Sequence, residues 1–161
     1  NAGRFLTEGH ADIVKLELDE SYAPLVARLT RAGIPVCAHI GSRPQTAALT
    51  GGYAGAGRTD AAAAQIIRDA KALETAGAMM LLIEAVPDEV TARVMAETSA
   101  PLIGIGAGPA PHGQVLVLHD LLGLSLHPPR FAAPAAHLAE PIINAAKTWI
   151  DRVAKRSIAT R

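Results

Sequence analysis

Apolar residues along this chain come in short unbroken runs, separated by stretches with helical periodicity. The clearest run lies in Met79–Pro87 (MMLLIEAVP), where five apolar residues lead into Glu84 and the chain turns at Pro87. A run of this kind, flanked by helical patterns, reads as a strand buried on both faces. The same logic predicts strands over Ile13–Glu17 (IVKLE), Val36–Gly41 (VCAHIG) and Leu102–Gly108 (LIGIGAG). Gln114–His119 (QVLVLH) reads as a further strand, although a buried helix fits the run almost as well. Between the strands, Glu20–Ala32 carries Pro24 in its first turn and stops at Gly33. Asp60–Ala76 is capped by Thr59 and has an apolar stripe of Ala63, Ile66, Ile67, Ala70 and Leu73. Asp88–Thr98 turns Val90 and Val94 inward, and a last amphipathic helix, about 141–157, carries Ile142, Ile143, Trp149, Ile150 and Val153 on one face.

Strand and helix alternate, with successive strands spaced roughly twenty residues apart, which is the rhythm of βα units and a parallel sheet. A doubly wound sheet or a (β/α)₈ TIM barrel would follow. The barrel is favoured because Glu17, His39, Glu84 and several glycines fall at strand C-terminal ends, where barrels collect their chemistry. The pattern holds about five strands against the eight of a closed barrel. The chain also opens at Asn1 without a Met, already within a helix that Gly9 ends. The expectation is one domain over 1–161, the C-terminal portion of a barrel, with about three strands before Asn1.

Composition narrows the function classes. Fifteen basic and fifteen acidic residues cancel, and aromatics make up 3%. There is no broad charge for nucleic acid or an anionic membrane, and no set of stacking platforms. Hydrophobic residues at 50% support a core built on Ala, Leu, Ile and Val. Cys37 has no partner in the chain, which suggests a reducing, cytoplasmic setting.

Among the polar residues, Glu84 stands out, since an acid at the end of a dry strand has its pKa raised unless a cation or donor offsets desolvation. A solvent-facing Glu is the bland alternative. Lys15 and Glu17 share one strand face and suit a cation site, or else a structural ion pair inside the barrel. His39, at another strand end, either serves the same site or is simply hydrogen-bonded. In Leu102–Gly108 the glycines Gly104, Gly106 and Gly108 share one face, leaving room for a ligand or for closely packed backbone. That run lacks the third glycine of G-x-G-x-x-G, and no phosphate-loop motif or zinc spacing is present. Asp120, beside His119, reads as closing a strand. The loop 42–58, rich in turn residues, is the longest irregular segment and the one expected to carry function.

AHIGSRPQT (38–46), GGYAGAGRT (51–59), LLIEAVP (81–87), IGIGAGP (103–109) and GQVLVLHDLLG (113–123) together resemble the ketopantoate hydroxymethyltransferase family. So does the opening NAGRFLTEGHADIVKLE (1–17), and the likeness runs in order to about Pro129, with a less family-like tail from Arg130. The resemblance implies a (β/α)₈ barrel and Mg²⁺-dependent transfer of a hydroxymethyl group from 5,10-methylenetetrahydrofolate to 3-methyl-2-oxobutanoate, giving 2-dehydropantoate on the way to pantothenate. By position it makes Glu84 the proton acceptor, Lys15 a residue that binds the ketoacid and Glu17 a Mg²⁺ ligand, with His39 lining the pocket. It also implies a ring-like homo-oligomer, often a decamer. Two features depart from the family. Leu18-Asp19 follows Glu17 where a glycine is usual, and the family's other Mg²⁺-binding residues, two aspartates, belong upstream of the matched region. The alternatives are a related metal-dependent lyase of the phosphoenolpyruvate mutase and isocitrate lyase type, or a non-catalytic partial barrel.

Overall fold

The computed structural model describes residues 1–158, which belong to two compact units, Asn1–Val115 and Leu116–Arg161. In the first, β1 (Val14–Glu17), β2 (Val36–Gly41), β3 (Met80–Glu84), β4 (Leu102–Ile105) and β5 (Gly113–Gln114) form one sheet. Every neighbouring pair is parallel, and the strands lie side by side in chain order. Right-handed crossovers between strands in sequential order put each connecting helix on the same face. A doubly wound sheet would instead reverse its order at a switch point. The arrangement is therefore an arc of a (β/α)₈ barrel, the one of the two folds allowed by the strand rhythm that the polar strand ends favour.

Register divides the sheet into two faces. Val36, Ala38, Ile40, Leu81, Ile83 and Leu102 alternate onto one and are fully buried. Helix α1 (Ala2–Thr7) precedes β1, and these strand residues share a core with Val26 of α2 (Ala23–Arg31), with Ala63, Ile66, Ile67, Ala70 and Leu73 of α3 (Asp60–Thr75), and with Val90 and Val94 of α4 (Asp88–Glu97). The predicted stripe of α3 is thus the face that covers the sheet. Each large aliphatic side chain buried there contributes roughly 1.5–3 kcal/mol. Thr59 caps α3 as expected, its hydroxyl accepting from Ala62 N at 3.2 Å. Residues of the other parity project from the opposite face: Lys15, Glu17, Cys37, His39, Leu82, Glu84, Ile103 and Ile105.

Three expectations change on this frame. The run Gln114–His119 is not a strand: pairing ends at Gln114, and Leu118–Leu121 forms a single helical turn, α5. Its apolar alternation buries nothing here, since Val115, Val117 and Leu118 are exposed. Asp120 consequently closes no strand; it is buried within α5 and bonds the Ser125 hydroxyl. The glycine face of β4 holds close packing rather than open space. Gly104 pairs with Ile83 on the helix-covered face, and a Cβ there would meet Pro111 Cγ at 2.6 Å.

In the second unit the final helix, α6 (Ala139–Ala154), buries none of its residues; Ile142, Ile143, Trp149, Ile150 and Val153 are exposed. No helix among the described residues is long and apolar enough to cross a membrane.

Candidate active site

The C-terminal ends of β1, β2 and β3 bring the polar residues of the helix-free face together. Register sets Glu17 beside His39, and Glu84 beside Gly41. Gly41 has φ +86°, a left-handed conformation that glycine adopts freely. A Cβ at this position would meet Glu84 O at 2.6 Å. The glycine therefore lets β2 close onto β3, and Ser42 N donates to Glu84 O at 2.9 Å.

His39 is the hub of the cluster. Its ring is buried, with side-chain exposure of 1%, and Lys15 Nζ lies 3.3 Å from Nδ1. Glu17 Oε1 stands 3.8 Å from the same nitrogen, while Glu84 Oε2 is 3.1 Å from Nε2. The Nε2 approach is an ion-pair distance without the alignment of a hydrogen bond, so this buried nitrogen faces Glu84 without a fully satisfied donor. Lys15 and Glu17 thus meet at His39 rather than at each other. All four residues singled out from the sequence lie in one cluster.

Glu84 is not a solvated acid, since its side chain is 12% exposed. Its oxygens are held from two sides: Tyr53 Oη donates to Oε1 at 2.7 Å, and His39 sits at Oε2. Here the electrostatics overturn the expected sign. Burial raises the Glu84 pKa, but the contacts with His39 and Tyr53, helped by the positive charge of Lys15, more than offset it and hold the carboxyl below its ordinary value. Glu84 is consequently ionised at neutral pH and ready to accept a proton, although a weaker base than a dry strand end alone would make it. The Tyr53 phenol moves the other way, well above its usual range, through burial and the adjacent carboxylate. It remains a donor.

Sequence reasoning missed Tyr53 as an individual residue, together with the SRPQT turn. Gln45 N donates to Glu17 Oε2 at 3.0 Å, fixing the β1 carboxylate from the loop. A cavity of about 240 Å³ opens along the same loop, lined by residues including Ser42, Arg43, Thr46, Tyr53 and Ala56. The signal available was the loop's length and turn composition; nothing local pointed Tyr53 at Glu84.

The Leu18-Asp19 departure has a structural use. Leu18 is buried in the helix-covered core, and its N–H donates to His39 O at 3.0 Å. Asp19 caps the 3₁₀ turn Glu20–Tyr22 through Ser21 N and pairs with Arg43 Nη1 at 2.7 Å. The bulk after Glu17 therefore turns away from the cluster. A divalent cation is a different matter. Hard cations take six or more oxygen ligands, and no trio of His, Cys, Asp and Glu among the described residues is arranged to hold a metal ion. Glu17 is one candidate carboxylate, and these residues do not complete a Mg²⁺ site.

Comparison with known proteins decides the family. Residues 1–160 match the family described as ketopantoate hydroxymethyltransferase. The chain belongs to that family. The match runs through the tail beyond Arg130, where the sequence motifs had thinned. Among curated relatives, a 3-methyl-2-oxobutanoate hydroxymethyltransferase of Koribacter versatilis is 47% identical over 95% of this chain and 52% of its own length. One from Alkalilimnicola ehrlichii is 47% identical over 95% of this chain and 56% of its own. One from Geotalea daltonii is 42% identical over 99% and 60%, respectively. The chain spans little more than half the length of these relatives.

Proposed function

We propose that this chain carries the base and the ketoacid-binding lysine of a 3-methyl-2-oxobutanoate hydroxymethyltransferase. The observation that carries the reading is the meeting of Glu84, Lys15 and Glu17 around buried His39 at the C-terminal ends of three parallel strands. Family membership and the relatives' names support it.

In this reading the ketoacid lies with its anionic end toward Lys15 and its branched carbon toward Glu84. Ionised Glu84 removes the proton from C3, and electron density moves onto the keto oxygen as an enolate. Because Glu84 is held below its ordinary pKa, the driving force must come from stabilising that enolate rather than from unusual basicity. Lys15 supplies positive charge beside those oxygens. C3 then attacks the methylene carbon of 5,10-methylenetetrahydrofolate, forming a C–C bond as the first C–N bond breaks. Water then replaces the remaining nitrogen, forming the C–O bond of 2-dehydropantoate as the second C–N bond breaks, and the C3 proton and one water proton end on the two nitrogens of tetrahydrofolate. Mg²⁺ would add Lewis-acid stabilisation of the oxyanion. Glu17 is the carboxylate in this cluster open to it, and its remaining ligands would come from outside the described residues.

The proposal keeps the expected setting, a homo-oligomeric enzyme of the cytoplasm acting on small molecules, and the exposed apolar face of α6 would lend a subunit contact.

The test is hydrogen exchange at C3 of 3-methyl-2-oxobutanoate in D₂O, followed by proton NMR with the full-length protein. Exchange should occur, and Glu84→Gln should abolish it. Exchange of a different ketoacid only would move the assignment to a related lyase, and none with any ketoacid would leave a non-catalytic barrel.

A further inference from the structure

We infer that Tyr53 is a positioning residue for the base: its phenol, delivered by the glycine-rich loop, fixes the rotation of the Glu84 carboxylate. The inference rests on the reading of Glu84 as proton acceptor and extends it to a residue of the 42–58 loop.

Geometry comes first. The terminal torsion of a glutamate is broad and roughly two-fold, so one contact leaves the carboxylate free to swing. Glu84 has two, from different elements. Tyr53 Oη reaches Oε1 at 2.7 Å from the loop, and His39 Nε2 reaches Oε2 at 3.1 Å from β2. Together they define the carboxylate plane, and each oxygen keeps a further lone pair for a substrate proton.

The loop is registered against the base by its backbone. Ala56 N donates to Ala85 O at 2.9 Å, and Ala85 N donates to Ile105 O at 2.9 Å. Ala85, the residue after the base, has φ +49°, a left-handed conformation that costs a non-glycine residue about 1 kcal/mol or more. That conformation turns the Ala85 carbonyl toward the loop and its N–H toward β4. The segment carrying Tyr53 is thus latched one residue from the carboxylate it contacts.

The ring itself argues against a packing role. Tyr53 is 44% exposed, and its hydroxyl donates to Glu84, with the Ser42 side chain as its other polar neighbour. The upward shift of the phenol keeps it protonated and donating across the physiological range.

The decisive variant is Tyr53→Phe in the full-length protein, which deletes the hydroxyl and keeps the ring. Loss of a hydrogen bond to a charged group predicts a fall of about tenfold or more in the maximal rate of C3 exchange. The ketoacid KM should change by less than about threefold, because the hydroxyl contacts the base rather than the substrate. The acid limb of the pH–rate profile should move to higher pH. In protein labelled with ¹³C at glutamate carboxyls, the Glu84 titration, assigned by its loss in Glu84→Gln, should move up without any substrate present. Wild-type rate, acid limb and titration in Tyr53→Phe would overturn the inference. Should wild-type protein fail to exchange the ketoacid at all, the reading of the site falls, and the NMR titration still decides whether Tyr53 holds Glu84.

Discussion

Lys15 Nζ and His39 Nδ1 stand 3.3 Å apart, and this one contact fixes the protonation pattern of the cluster. An ammonium has only donors, so Nδ1 must accept, which leaves the ring proton on Nε2, facing Glu84 Oε2. In the proposed reading Lys15 would have two duties, charge beside the ketoacid and control of the histidine tautomer. Lys15→Met should raise the ketoacid KM by about tenfold or more, the loss expected for a charge-assisted bond. Steady-state kinetics on the full-length protein check this. An unchanged KM would remove Lys15 from the binding site.

Acid stability follows from Glu84. A carboxyl held below its ordinary pKa binds fewer protons in the folded chain than in the unfolded one. The stability this contributes is complete above the ordinary carboxylate range, near pH 4.3, and is lost as pH falls through the lower folded value. Urea midpoints measured between about pH 6 and pH 3 should therefore fall more steeply for wild type than for Glu84→Gln. Parallel curves would mean that His39 and Tyr53 do not hold the ionised form.

Gly41→Ala tests the closure of β2 onto β3. The new Cβ would sit 2.6 Å from Glu84 O at φ +86°, combining a steric clash with an unfavourable backbone conformation. A loss of about 2 kcal/mol or more is expected, read as a lower urea midpoint at constant slope. Exchange activity should drop as well, since the same shift moves Glu84.

Asp19 separates capping from charge. Asp19→Ala removes the acceptor for Ser21 N and the partner of Arg43, and should destabilise by about 1–2 kcal/mol. Asp19→Asn keeps a capping oxygen and loses only a partly exposed ion pair, worth about 0–1 kcal/mol. Thermal or urea denaturation of the two variants should show that gap. Equal losses would assign the whole effect to the Arg43 pair.

The elements that could be read from the chain are those whose pattern is local. Ile66, Ile67, Ala70 and Leu73 recur at helical spacing because one face of α3 covers the sheet, and Leu81 and Ile83 alternate with residues of the other face. Lys15, Glu17, His39 and Glu84 were legible for a related reason: strand parity and strand-end position are both visible in a string of letters. What failed depended on neighbours. Val115 and Val117 alternate like a strand yet have no pairing beyond Gln114. Gly104 faces Pro111 because register with Ile83 decides its side. The sign of the Glu84 shift depends on His39 and Tyr53, which lie 45 and 31 positions earlier in the numbering and meet it only in the fold.

Ala85 carries a practical warning for anyone seeking a more heat-resistant version of this protein. Replacing a left-handed alanine with glycine relieves an awkward torsion, and relaxing such torsions is a common route to a higher melting temperature. At this position the same freedom would slacken the joint between the strand that carries Glu84 and the loop that steadies it. A variant chosen for endurance here would be expected to turn over more slowly.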